Sequence, residues 1–284
     1  MAISYCVLAS GSGGNSAWLR GGGIEILVDC GLSARQIEHR LAAVGQSADH
    51  IHAIVCTHWH HDHVAGAAVL SRRHGIDLYA TASTLRRIPG ALSAERLHRL
   101  PSSGRVEIGG LKVSTTPTPH DAAGSVALCI ADADTRVGVA TDLGTPTPEI
   151  RRALAGVDGL ILECNHDLDM LRDGPYPAML KQRIRSRVGH LSNEQGARLA
   201  AELVHAGLQH LTLAHLSETN NTPGKAAGHV SSVLSRMGAS WLELSVAGQH
   251  HPSEPVVLAP RAGGAALTPA STAAAQLWLP HMND

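Results

Sequence analysis

Short apolar runs dominate the first half of the chain. Residues 4–9 (SYCVLA), 24–29 (IEILVD) and 52–57 (HAIVCT) have the length and apolar content of buried strands. Between the second and third, SARQIEHRLAAV (33–44) shows a helical pattern behind Ser33, a natural N-cap. A second helix is expected from about Asp62 to Gly75, where glycine suits the helix stop. Further strands are expected near 77–80, 105–108, 111–116, 125–131, 136–141 and 158–163. VEIGGLKVSTT reads as a hairpin around Gly109 and Gly110, and ALCIADADTRVGVAT as another turning between Asp132 and Thr135. The last third is more helical, at about 147–154, 177–187, 192–206 and 224–237, with strands near 211–214 and 242–246. Many early strands, then strands alternating with helices, predict an α/β layered sandwich with helices outside two sheets. Residues 1–258 are expected to form one domain. From 259 the composition turns to Ala, Gly, Pro and Thr, and the tail 259–284 is expected to be flexible.

Composition changes this picture in three respects. The chain has 284 residues, 44% of them hydrophobic, enough for a sizeable core, yet it contains no Phe. Leu, Val, Ala and the four Trp are therefore expected to fill the interior. The net charge of −1 argues against a broadly basic nucleic-acid surface but leaves room for a local basic patch. Five cysteines (Cys6, Cys30, Cys56, Cys129, Cys164), mostly in apolar runs, read as buried free thiols in a reducing compartment. With no membrane-length apolar run and no leader-like N-terminus, the expected location is the cytoplasm, away from membranes.

The 19 histidines motivate a metal hypothesis, and four of them fall within VCTHWHHDHVAG (55–66). A strand ending at Thr57 would deliver His58 and His60 to one side, because alternate residues of extended chain share a face. A helix starting there would place Asp62 and His63 in its first turn. One segment can thus offer two imidazoles to one metal and a carboxylate with an imidazole to a second; His61 points away. Three later residues fit the remaining positions. His120 follows a strand in TPTPHDAAG, Asp142 ends one in GVATDLG, and His215 ends another in LTLAHLS. Each sits at the C-terminal edge of an apolar strand, where α/β folds gather ligands.

The ordered set H-x-H-x-D-H, His, Asp, His resembles the metallo-β-lactamase-fold metallohydrolases, an αββα sandwich of two mixed sheets. The resemblance implies that His58, His60 and His120 hold a first metal. It implies that Asp62, His63 and His215 hold a second, and that Asp142 bridges both. Two divalent ions follow, zinc first, with manganese or iron admitted by the same donors. Asp29 in ILVDCG matches the family's early supporting aspartate, or is simply a turn residue before Gly31. SGSGGN (10–15), ECNHD (163–167), GPYP (174–177), GHLSNE (189–194) and AHLS (214–217) are similar to the YycJ/WalJ branch, whose members are linked to exonuclease activity on DNA. That likeness covers about residues 4–250.

Asp142 argues against lactam hydrolysis, since similar β-lactamases generally lack an aspartate there, whereas glyoxalase II-like thioesterases have one. His190 favours phosphodiester chemistry, because related ribonuclease Z enzymes place a histidine comparably near the scissile phosphate. His190 would serve as general acid or phosphate donor; GHLSNE also fits a helix start capped by Ser192 with Gln195 at the third position. The ribonuclease Z pattern has a glutamate where this chain has Val139, so any carboxylate partner of His190 must come from elsewhere, and Glu163 is one candidate. Lys181 and Arg185 would share a helix face able to hold a nucleic-acid backbone, or a solvated one. Tyr176 either lines the pocket or packs. ASGSGGNS lacks the Lys and spacing of a P-loop, so a glycine-rich turn is expected, with Ser10, Ser12 and Asn15 lining or bracing the site. Asn165 and His166 are placed near it, unless His166 caps the following helix.

The expected function is a dinuclear metal-dependent hydrolase, a phosphodiesterase acting on nucleic acid through a hydroxide held between the metals, with Asp62 and His190 as catalytic residues. The alternatives are a thioesterase or small-ester hydrolase on the same centre and a catalytically inactive metal-binding scaffold.

Overall fold

The computed structural model describes residues 2–88 and 93–260. The first half of the chain builds one sheet from β1 (Ser4–Ala9), β2 (Ser16–Gly21), β3 (Ile24–Val28), β4 (Ile51–Val55), β5 (Asp77–Thr81) and β6 (Leu97–Leu100), in that spatial order. β1 to β3 are antiparallel and β3 to β6 parallel. Helices α1 (Ala34–Ala43), α2 (His61–Val64), α3 (Ala67–His74) and α4 (Ala82–Leu85) lie in the connections. The second sheet repeats the scheme. β7 (Gly104–Ile108), β8 (Leu111–Pro117), β9 (Val126–Ala131) and β10 (Arg136–Ala140) are antiparallel. β11 (Gly159–Glu163), β12 (His210–Ala214) and β13 (Glu243–Val246) then continue in parallel with β10. Its helices are α5 (Pro148–Leu154), α6 (Leu168–Asp173), α7 (Ala178–Ile184), α8 (Asn193–Leu203) and α9 (Pro223–Arg236); β14 (Val256–Val257) returns to pair with β1.

Alternation within each strand fixes the layers. Ile26 and Val28 of β3, Val55 of β4, Ile161 of β11 and Ala214 of β12 face the space between the sheets. Their neighbours Leu27 and Ile54 pack on α1 and α3, while Leu160, Leu162 and Leu213 pack on α5, α8 and α9. Because both faces of these parallel strands are largely covered, they are rich in apolar residues on both sides, with Glu25, His52 and Thr212 as interruptions. The helix–sheet–sheet–helix order is the expected αββα sandwich.

Several local expectations need correction. The helix expected from Asp62 to Gly75 is two helices. Gly66 donates its N–H to Cys30 O at 2.9 Å, and a Cβ there would lie 2.2 Å from Leu32 O, so the chain breaks to pack on the 30–32 loop. The Gly75 stop is left-handed as expected, at φ 70°. Strands β2, β6 and β14 were not anticipated: β2 and β6 carry polar or glycine residues, and β14 is only two residues long. The helix expected over 177–187 ends at Ile184, with Arg185 as its cap. Of the tryptophans expected to fill the core only Trp18 is buried; Trp59 is half-buried, Trp241 is 52% exposed, and Trp278 lies outside the described residues. The core is aliphatic instead. All five cysteines are free, four of them buried. The tail expected from 259 lies, from 261 onward, outside the described residues.

Candidate metal centre

Three residues outside glycine have positive φ among the described residues, and all three are strand-end site residues: Asp29 (60°) after β3, Asp142 (56°) after β10 and His215 (58°) after β12. A left-handed residue costs about 1–2 kcal/mol. Each strand end is therefore turned sharply, against local preference, and the surrounding structure holds it there.

The Thr57–His63 segment, which runs from beyond the end of β4 into α2, meets these strand ends. His58 and His63 are fully buried, Asp62 and His60 lie partly open to solvent, and His61 is exposed as expected. Donor atoms of His58, His60 and His120 lie within 4.8 Å of one another, and so do those of Asp62, His63 and His215 and those of His58, His63 and Asp142. Asp142 sits between the sets. Its Oδ2 is 3.1 Å from His63 Nε2, while Oδ1 is 3.5 Å from His215 Nε2 and 3.6 Å from His120 Nε2. The seven residues singled out in the sequence, spread over residues 58–215, therefore come together.

The supporting contacts fix which nitrogen each ring presents. Asp29 is a buried acceptor: Oδ1 takes the Thr57 N–H at 2.7 Å, and Oδ2 takes His63 Nδ1–H at 2.8 Å and the Thr57 hydroxyl at 2.9 Å. With its proton committed to Asp29, Thr57 Oγ1 accepts from His58 Nδ1–H at 3.0 Å. His58 and His63 thus both turn Nε2 inward. His120 Nδ1–H donates to Gly189 O at 3.3 Å, and His60 Nε2 lies 3.4 Å from Asp121 Oδ1. His60 Nδ1 and His120 Nε2 face each other at 3.2 Å, and His120 Nε2 is also 3.4 Å from Asp121 Oδ1.

A divalent cation resolves each anomaly of this arrangement. A cation between the facing nitrogens of His60 and His120 would take a lone pair from each. The buried atoms His58 Nε2, His215 Nε2 and Asp142 Oδ2 have no hydrogen-bond partner among the described residues. Without a cation the carboxylates draw protons in. Burial opposes charge on His63 and His215, yet Asp142 and Asp29 raise His63 to about 10, and Asp142 with Asp62 and Glu163 raises His215 well above the usual value. Burial would raise Asp142, but His215, His63 and His58 hold it well below the carboxylate range. Metal binding replaces those protons. The His/Asp cluster implies divalent metal ions.

The neighbours expected near the site are distributed as follows. The buried Ser10 Oγ accepts the His215 N–H at 2.6 Å, which holds His215 in its strained turn. Asn15 closes the glycine-rich turn on Gly11 and donates Nδ2–H to Asp62 O at 3.3 Å; the same Nδ2 is 3.0 Å from His63 Nε2. Asn165 Nδ2–H donates to His215 O at 2.8 Å. Asp167, not His166, caps α6, accepting from Met170 N–H at 2.9 Å. His166 is 1% exposed, and burial pushes it down to about 4. Ser192 and Gln195 do form the capping box of α8, so His190 is placed by a helix start.

Glu163 is the carboxylate partner of His190. It is wholly buried at the end of β11, and its Oε1 accepts His190 Nδ1–H at 2.7 Å while lying 3.3 Å from His215 Nδ1. Oε2 accepts the Leu143 and Leu191 N–H groups at 2.8 and 3.2 Å. Asp142, Glu163, His190 and His215 also approach within 4.8 Å, but these contacts occupy the Glu163 oxygens, so it braces rather than completes another ligand set.

A cavity of about 170 Å³ opens over the centre, with Ser12, Asn165, Tyr176 and His190 in its walls. Of the basic residues at 181–187, Arg183 lines it, held by an ion pair to Asp121. The expected Lys181–Arg185 face does not: Lys181 donates to Arg172 O at 2.7 Å, and Arg185, capping the short α7, faces outward, exposed, close enough to His166 to lower it. Arg183 stands in the basic stretch LKQRIRSRVG, but its pairing with Asp121 was missed because a strand-end pattern does not reveal a pair 62 residues apart.

The sequence profile of the beta-lactamase superfamily domain matches residues 25–216. The chain is 34% identical over 236 residues to exodeoxyribonuclease WalJ of Streptococcus pneumoniae, covering 81% of this chain and 87% of that protein. It is 31% identical over 241 residues to exodeoxyribonuclease YycJ of Bacillus anthracis, covering 84% and 91%. Its fold is also that of the metallo-beta-lactamase fold protein YhfI from Bacillus subtilis, with a TM-score of 0.68 at 18% identity over 89% of this chain and 99% of that one. No helix among the described residues is long and apolar enough to cross a membrane. With this sandwich, this His/Asp cluster and these relatives, the chain belongs to the beta-lactamase superfamily of metal-dependent hydrolases, in the group that contains WalJ and YycJ.

Proposed function

We propose that this hydrolase cleaves phosphodiester bonds of nucleic acid as an exonuclease, using two metal ions. His58, His60 and His120 hold the first ion, Asp62, His63 and His215 the second, and Asp142 lies between them. Zinc suits this nitrogen-rich set best. The observation that carries the proposal is Asp142: a buried carboxylate whose two oxygens face histidines of both sets favours a dinuclear centre. When bound, such a pair of ions activates water and neutralises charge on the phosphoryl and leaving oxygens. The names of WalJ and YycJ support DNA as the polymer.

The chain's own groups do the rest. Glu163 holds His190 Nδ1, so the ring offers Nε2 to the cavity it lines. Burial opposes a proton on that ring, and the Glu163 charge more than restores it, raising its pKa. His190 can therefore carry a proton to the leaving oxygen or hold a phosphate oxygen. Asp62, partly open to solvent beside His63 and His215, is the ligand placed to receive a proton from the attacking water. Arg183, oriented by Asp121, offers a guanidinium at the cavity rim to a neighbouring phosphate.

The test is to load the protein with zinc and give it a labelled DNA duplex, bis-p-nitrophenyl phosphate and an acyl thioester. Cleavage of both phosphodiesters, with terminal nucleotides released from the duplex, is expected, along with about two zinc ions per chain by elemental analysis. Thioester turnover with neither phosphodiester cleaved would overturn the proposal.

A further inference from the structure

One large groove lies outside the metal centre, between α8 and α9, with a volume of about 550 Å³. Resting on the nucleic-acid function proposed above, we infer that this groove is a second binding site, for the phosphate backbone of the nucleic acid held at the metals.

Charge is the first reason. The whole chain is nearly neutral, yet the groove gathers Arg198, Lys225, His229 and Arg236 against one carboxylate, Glu194. Lys225 Nζ is 3.1 Å and His229 Nε2 3.7 Å from Asp167, so one acid holds these two in place and partly offsets them. Arg198 and Arg236 are exposed and pair with no carboxylate among the described residues. Two guanidiniums therefore stand ready for phosphate oxygens.

Shape and position are the second. A Cβ added at Gly224 or Gly228 would meet nothing within 4 Å, so these glycines leave the groove floor open instead of serving helix packing. Both helices begin beside the centre: the α8 cap Ser192 follows His190 by two positions, and α9 follows the loop after His215. Since β11, β12 and β13 are parallel, both helices lead away from the metal edge. From Gly224 to Arg236 the floor extends about 18 Å at the helical rise. One strand of a duplex places about five phosphates over that length. No Phe, Tyr or Trp lines the groove, so it suits backbone rather than stacked bases.

The experiment measures anisotropy of a labelled phosphorothioate DNA duplex with metal-loaded protein across a salt series. The double variant Arg198→Glu/Arg236→Glu removes the cations, and Gly228→Glu independently puts an anion into open space that tolerates it. Affinity should fall about tenfold for each arginine at about 0.1 M salt, and the slope of log K against log salt should shrink by about two in the double variant. Hydrolysis of bis-p-nitrophenyl phosphate, which is too small to reach the groove, should stay at the wild-type rate. Wild-type affinity and slope in both variants would overturn the inference, as would a change confined to self-association in the ultracentrifuge. Failure of the phosphodiesterase proposal itself shows separately, as a wild type that leaves bis-p-nitrophenyl phosphate intact.

Discussion

Glu163→Gln is the sharpest perturbation of the centre that leaves every ligand in place. Glu163 is 0% exposed, and its two oxygens serve four partners from three other segments: His190, His215, Leu143 and Leu191. Burial would raise its pKa, but the His190 charge and hydrogen bonds from His190 and His215 hold it well below the usual carboxylate range. A glutamine keeps the shape and loses one acceptor pair. If its amide oxygen faces the Leu143 and Leu191 N–H groups, its NH₂ meets two imidazole Nδ1 atoms. Each ring must then lose its donor or turn over to carry hydrogen on Nε2, the nitrogen needed elsewhere. Leaving a buried donor unpaired costs about 1–3 kcal/mol. Loss of an outer partner of a metal-bound histidine typically costs about 10–100-fold in metal affinity or activity. Metal affinity, read by competition with a chromophoric chelator, should therefore fall about 10–100-fold at one of the two sites. The kcat on bis-p-nitrophenyl phosphate should fall with KM nearly unchanged, and Glu163→Asp should recover part of the loss. A folded Glu163→Gln protein with wild-type metal affinity and kcat would refute the bracing role.

Asp142→Gly should be inactive yet more stable than Asp142→Ala by about 1 kcal/mol in urea melts, because only glycine relaxes the left-handed turn at φ 56°. Gly31→Ala should reduce metal content and lower Tm, since a Cβ there would fall 1.7 Å from Asp62 O and push the second ligand set aside. His166 has a folded pKa near 4, lowered chiefly by burial. It is a base depressed below its unfolded value of about 6.5, so its contribution is complete above pH 6.5 and is lost as pH falls toward 4, by roughly 3 kcal/mol. Metal-loaded His166→Gln should show a correspondingly flatter loss of stability between those limits in denaturant titrations; an unchanged slope would rule the mechanism out. Chelation should lower Tm in proportion to RT ln(1 + [metal]/Kd), about 4 kcal/mol at a thousandfold excess over Kd, as scanning fluorimetry can follow.

The parts of the molecule legible in the sequence are those where one physical preference acts alone. β3, β4, β11 and β12 carry apolar residues on both faces because both faces are largely covered, and their dense apolar content stands out despite Glu25, His52 and Thr212. Asp142 and His215 were legible because each follows an apolar strand, where a polar residue has no packing reason to be, and His58, His60, Asp62 and His63 because they crowd into one short segment after β4. β2, β6 and β14 were hidden because they are short or carry polar residues, and tertiary pairing overrides so weak a local signal. The break at Gly66 and the Asp121–Arg183 pair depend on segments far away in the chain, which no local pattern encodes.

The left-handed strand ends join these two levels. Asp29, Asp142 and His215 each follow a strand with high β preference, and local rules would let the chain run straight on. The turn at each is enforced from outside: at Asp29 by Thr57 and His63, at Asp142 through the Glu163 bond to the next residue, Leu143, and at His215 by Ser10 and Asn165. Those bracing residues are as much determinants of the centre as the ligands themselves. The braces at Asp29 and Asp142 each lie within one sheet's half, whereas Ser10 on His215 joins the two, so the centre is complete only when both sheets have docked. A sequence motif can name the donors, but their geometry belongs to the packed sandwich, and a substitution at Ser10, Thr57 or Glu163 should disturb metal affinity more than any change to the exposed His61 beside them.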